Sequence, residues 1–246
     1  MALTVFSFGV QAAALAFGPL ALVQPLAATD VLFALPLIAH LNRRPLTRRS
    51  ITGGLCVVAG MATFVAVSPP TSGVGAPGIT AWIAALTGIA ALTALSAFAA
   101  LRTRGPARVI LLAGMAAMTY GVLDAVTKST VDILPDRGVG VLTTWEPYAL
   151  LVAGVLGNLF GQSAFNAGPL SLSLPVVDTV EPATAVVLAA VVFHESLART
   201  PWHLALQLLG AAIAVTGIVL LSHSCVVQAE DRRETALAAH EGKPTS

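Results

Sequence analysis

Leu15–Thr29, LAFGPLALVQPLAAT, is the stretch that decides the fold, because it returns 150 residues later as Phe165–Thr179, FNAGPLSLSLPVVDT. Between Gly18–Thr29 and Gly168–Thr179 six of twelve positions are identical: Gly18/Gly168, Pro19/Pro169, Leu20/Leu170, Leu22/Leu172, Pro25/Pro175 and Thr29/Thr179. This is an internal duplication. In each copy a Gly-Pro break opens an apolar segment of about 20 residues or more, long enough to cross a bilayer. A second proline, Pro25 or Pro175, lies inside each segment. Such a proline removes one helix hydrogen bond and exposes a carbonyl, which a membrane helix tolerates only where protein or a water-filled cavity satisfies it again. Paired broken helices in two halves of a chain point to a transporter site, and kinks that serve packing alone are the plainer alternative.

Composition agrees with a membrane protein. Of 246 residues, 56% are hydrophobic and 10% charged, whereas a soluble domain has about 25% charged residues. Mean hydropathy is +0.84. A net charge of +1 carries no nucleic-acid footprint, so no nucleic-acid partner is expected. Cys56 and Cys225 are too few and too far apart for a disulfide framework, and no CxxC or Cys/His spacing marks a metal centre. No cofactor is expected either. A nucleophile elbow, an HExxH motif and a Gly-rich phosphate loop are all absent, so enzymatic chemistry is not expected.

Outward from the duplicated stretch the chain divides into eight apolar segments. Ala2–Phe17 is the first, with no basic n-region and no cleavage site to make it a signal peptide. Its Gln11 either lines a cavity or bonds across to a neighbouring helix. The second, Pro19–Leu41, carries Gln24, Pro25, Thr29 and Asp30. A charge at mid-helix is expensive in a bilayer, which makes Asp30 a candidate site residue. Ile51–Ser68 has Gly53, Gly54 and Gly60 to let a neighbour approach closely, and Ile79–Leu101 has no ionisable side chain. In Val109–Lys128, Asp124 and Lys128 are four apart, the spacing of a local ion pair. Ser129–Glu146 reads as a loop.

The sixth segment, Tyr148–Ala167, places Asn158, Gln162 and Asn166 four apart, so their amides share a helical face that must meet protein, water or substrate. Its Gly157 and Gly161 form a GxxxG pair, which leaves a homodimer open although packing within the chain is the simpler use. The seventh, Pro169–Phe193, holds Pro175, Asp178, Thr179, Glu181 and Pro182 within eight positions. Two carboxylates three residues apart in a low dielectric do not both ionise easily, so one could carry a proton or bind a cation. His194 and Glu195 read as a solvated helix end. Trp202–Ser222 is the eighth segment, and 223–246 reads as a polar, disordered tail.

Arginines set the topology. Asn42–Ser50, NRRPLTRRS, and Arg102–Arg108, RTRGPAR, hold seven arginines between them, against Lys128, Arg137 and Arg199 in the loops on the other side. The positive-inside rule puts the arginine loops and the C-terminus in the cytoplasm, for a multi-pass protein of the cell membrane. The same count sends the two duplicated segments across in opposite directions, as inverted repeats. The organisation expected is an N-terminal repeat of three spans (1–68), a linking loop and span (69–101), a C-terminal repeat of four spans (102–222) and the tail (223–246). Val109–Lys128 has no counterpart ahead of Met1, so a first helix is expected to be missing, through loss or through a start codon placed too late.

The two GPL segments, each followed by an apolar helix, with a basic loop after the first and Glu181-Pro182 and Glu195 in the second copy, resemble the drug/metabolite transporter superfamily. Within it they look like EamA repeats and like the actinobacterial proteins similar to NIPA-type magnesium transporters. The resemblance spans about Ala2–Ser222 and implies an all-helical transporter with inverted repeats, working by alternating access on a small metabolite, drug or ion. Asp178 and Glu181 are then the candidate coupling pair, with Asp30 across the pseudo-twofold. Gln162, Asn158, Gln24 and Thr179 are candidates to orient substrate, and Pro25, Pro175 and Pro182 to open carbonyls towards it. A divalent-cation carrier is an alternative, since carboxylates and carbonyls are the hard oxygen ligands Mg²⁺ accepts. A non-transporting membrane scaffold is the other.

Overall fold

The computed structural model describes residues 2–21, 23, 48–67, 77–195 and 200–222. Among these are seven α-helices and no strand: α1 (Ala2–Phe17), α2 (Arg48–Val67), α3 (Ile79–Arg102), α4 (Pro106–Arg137), α5 (Glu146–Ala167), α6 (Leu170–Val191) and α7 (Pro201–Ser222). Helices α3 to α7 are long and apolar enough to cross a membrane, and α2 contains a shorter apolar run, Ile51–Phe64. Most of the expected span Pro19–Leu41 and all of the tail lie outside the described residues.

The surface is what a bilayer requires. Ile83, Leu92, Leu95 and Phe98 on α3, Leu151, Val155 and Leu159 on α5, and Leu204, Leu208 and Val219 on α7 are all exposed. Large contiguous apolar faces of this kind are avoided by monomeric soluble proteins and are suited to lipid. The described residues are all-helical, and five of the helices have the length and composition to span a membrane.

One expected boundary is wrong. The loop read at Ser129–Glu146 is mostly helix: α4 runs 32 residues to Arg137, and a 3₁₀ turn, Gly138–Thr143, leads into α5. At 1.5 Å per residue α4 is about 48 Å long, well beyond a hydrocarbon core of about 30 Å, so its last turns project from it. Polar side chains there serve the helix rather than break it. Thr127 and Thr130 donate to the carbonyls of Leu123 and Val126, both at 2.7 Å. Lys128 Nζ donates to Asp132 at 2.8 Å. The expected Asp124–Lys128 pairing therefore gives way to Lys128–Asp132. Asp124, 4% exposed, accepts instead from Gln11 Nε2 of α1 at 2.9 Å, while a lysine stem extends naturally towards the membrane surface. Of the two uses open to Gln11, bonding across to a neighbouring helix is the one observed.

The two Gly-Pro breaks lie at opposite ends of the bundle. Beyond Gly18, Leu20 packs with Leu15, Trp82 at the start of α3 and Phe193 just after α6. Trp82 stands edge-on to Phe193 and Trp145, with ring centroids 5.9 and 5.2 Å apart. Gly168 instead sits against Val109 in the first turn of α4, where an added Cβ would lie 2.6 Å from Cγ2. This second end carries Arg48, Arg102, Arg104 and Arg108.

Glycine sets the closest helix contacts. Tyr120 of α4 lies on Gly157 of α5, where a Cβ would be 2.7 Å from its ring, and near Gly161. The GxxxG pair thus serves packing within the chain. Helices α2 and α7 pack antiparallel, almost backbone to backbone. A Cβ on Gly60 would come 2.4 Å from the carbonyl oxygen of Gly210, and one on Gly210 would come 2.7 Å from that of Gly60. At Gly217 a Cβ would be 2.6 Å from the Gly53 oxygen. Backbone cannot yield as a flexible side chain does, so Gly60→Ala is expected to destabilise by about 1–3 kcal/mol. Gly88→Ala on α3, with nothing within 4 Å of the added atom, should be neutral or mildly stabilising. Thermal melts in mild detergent compare them, and equal melting points for Gly60→Ala and the parent would refute this packing.

Candidate functional site

Helix α6 brings the densest set of candidate residues into the bundle. Asp178, Thr179, Pro182, Ala183 and Val186 fall at the spacing of one helical face and line a cavity of about 260 Å³. The far walls are Met61 and Phe64 of α2 and a run of α7 from Leu204 to Ile218, including Gln207 and Ala211. The other side of α6 turns to α4: Ala185, Leu188 and Ala189 are buried in the main core, and the Thr184 side chain and Glu181 carbonyl press on Gly121. The cavity therefore lies at a seam. The tightly packed pair α2–α7 is on one side, and the body of α1, α3, α4, α5 and α6 is on the other, with few contacts across α6 and α7.

Its wall is apolar except for a short polar patch. Asp178, Thr179 and Gln207, the last 2% exposed, are the polar residues of its lining. Pro182 acts on the same place. A helical carbonyl is served by the N–H four residues on, and for Asp178 that residue is proline, which has none. Residue 178 thus lies one turn before the proline, and both are among the residues that line the cavity.

The remaining expected site residues are spread more widely. Glu181 is on the edge of α6 that meets α4, within electrostatic reach of the Tyr120 hydroxyl, and Pro175 lies in α6 before the cavity. Neither is among the cavity residues above. Asn158 and Gln162 are exposed on α5, the former in a shallow groove with Leu123, Leu151 and Gly154. Asp30, Gln24 and Pro25 lie outside the described residues. Among the described residues no three His, Cys, Asp or Glu side chains gather as metal ligands would. Gln207 went unread in the sequence, although a lone amide amid the apolar run of α7 was a usable signal.

The chain is similar to a Corynebacterium glutamicum protein described as uncharacterized, with 26% identity over 234 residues, covering 95% of this chain and 81% of the relative. No protein-family profile matches it. No solved structure matches it.

Within the site-bearing body, α1 is bonded to α4 by the Gln11–Asp124 hydrogen bond. Polar bonds between membrane helices contribute about 0.6–2 kcal/mol. Gln11→Leu is expected to lower stability within that range, and adding Asp124→Asn should then have less effect than it has alone. A double-mutant thermal-melt cycle measures the coupling, and strict additivity would show that the bond contributes nothing.

Proposed function

We propose that the protein is a secondary transporter of the drug/metabolite type, which carries a small, mainly apolar molecule with one polar group by alternating access at the seam cavity. One observation carries this reading: Asp178, Thr179, Gln207 and the in-helix Pro182 line one otherwise apolar cavity between two helical bodies. Ligand sites commonly have this make-up, an apolar wall with a few placed polar groups.

The duplication supports the reading. Gly60 and Gly210 are 150 residues apart, the spacing of the two GPL segments. Their contact is reciprocal: a Cβ on Gly60 would meet the nitrogen of Ala214, and one on Gly210 would meet that of Phe64, its counterpart. Reciprocity is what a pseudo-twofold axis through this point produces. Together with breaks at opposite ends, it favours inverted repeats. In this reading α2 and α7 rock as a unit against the body, the arginine-bearing end faces the cytoplasm, and the protein resides in the cell membrane.

The ligand does not need to be known for a test. Purified protein in mild detergent is melted with a panel of amino acids, nucleobases, cationic drugs and Mg²⁺. A ligand at 100 times its Kd should stabilise by about 2.7 kcal/mol. Ala211→Phe, which fills the cavity, is expected to abolish the shift, and Asp178→Asn to weaken it at least for a cationic ligand. Stabilisation that persists in full in Ala211→Phe would sink the assignment of this cavity.

A further inference from the structure

We propose that Glu195 is a positioning residue: a latch that closes the end of the bundle opposite the arginines by holding the helical turn begun at Pro19. The need for it arises in the sequence. The first N–H groups of a helix have no acceptor within it, and Gly18-Pro19 starts a helical turn in an apolar neighbourhood. Val23 N–H is satisfied by the Pro19 carbonyl at 3.1 Å. The N–H groups of Leu20 and Ala21 donate instead to Glu195 Oε1 and Oε2, at 2.9 and 2.8 Å. Both carboxylate oxygens are used, and the side chain is 4% exposed. It is not the solvated helix end expected from the sequence. Hydrogen bonds accepted by a carboxylate are charge-assisted.

The chain is shaped to bring Glu195 there. After α6, Val192 N–H closes on the Leu188 carbonyl and Glu195 N–H reaches back to that of Ala189 at 3.0 Å. Between them His194 takes φ of 54°, a left-handed conformation unusual for a non-glycine residue. The turn sends Phe193 into the aromatic contact with Trp82 and the Glu195 carboxylate towards Leu20. Around it the closure consists of apolar contacts among Leu15, Leu20, Trp82, Val192 and Phe193. Such contacts are non-directional and tolerate sliding. The two bonds from Glu195 are directional, and they join segments 174 and 175 residues apart. The carboxylate therefore fixes where the Pro19 turn sits and makes its release a discrete event.

The latch is tested without any ligand, so its failure is separable from failure of the transport reading. In a background with Cys56 and Cys225 changed to serine, two reporters are made: Val192→Cys beneath the latch, and Ala113→Cys, equally buried near the arginine-bearing end. Each is combined with Glu195→Gln, or with Ala21→Pro, which deletes one donor at a first-turn position that accepts proline. Labelling by a membrane-impermeant maleimide is followed in intact cells for Val192→Cys and in opened membranes for Ala113→Cys. Either latch variant should speed labelling at Val192→Cys about tenfold or more, while Ala113→Cys stays within about twofold. An unchanged rate at Val192→Cys in both variants overturns the latch. So does an equal rise at the two reporters, which would mark general loosening.

Discussion

The structure depends on a constraint that apolar surroundings impose and water does not: a backbone N–H left without an acceptor stays without one. At Gly18-Pro19 the chain creates that problem, and a carboxylate from the far end of the sequence resolves it. The Leu20 and Ala21 N–H groups meet Glu195. To deliver Glu195 the chain must leave α6 through an unusual backbone turn at His194, which in turn sets Phe193 against Trp82. The aromatic cluster and the start of α3 gather at the same end of the bundle as this pair of hydrogen bonds.

A second constraint divides the bundle. Within lipid, apolar side chains gain little from choosing a helix over a lipid tail, so the tightest associations come from small residues that let backbones meet. Gly53, Gly60, Gly210 and Gly217 make α2 and α7 such a pair, and Gly157 of α5 makes room for the Tyr120 ring of α4. Helix α6 has its glycine partner, Gly121, on α4. Towards α7 it presents Asp178 and Pro182, which do not interdigitate in the same way. A cavity opens where the small-residue contacts stop.

Much of this was legible in the sequence. Apolar length alone placed α3, α5, α6 and α7 close to their observed bounds, because crossing a bilayer fixes how many residues must be apolar. Asp178, Thr179 and Pro182 could be chosen as candidates because polar groups and a proline inside such a span need a structural reason, and all three line the cavity. What escaped was long-range pairing. Asp124 and Lys128 have the spacing of an ion pair, yet Gln11, 113 residues away, engages the aspartate and the lysine turns to Asp132. The same local polarity made Ser129–Glu146 look like a loop, although threonine hydroxyls and that ion pair support the helix from within. Glu195 looked solvated because a charge beside a span usually is, and nothing near it announces an acceptor needed at Leu20.

The duplication is not exact at the position that serves the first break. Counting back 150 residues from Glu195 gives Pro45, in the stretch Asn42–Ser50, which holds four arginines and no acid. A glutamate at the matching position therefore cannot serve the turn at Pro169, where Gly168 packs on Val109. Two copies that share Gly, Pro and Leu at the break thus differ in the residue that answers it, because that residue comes from a distant part of the chain, which the repeat does not hold fixed.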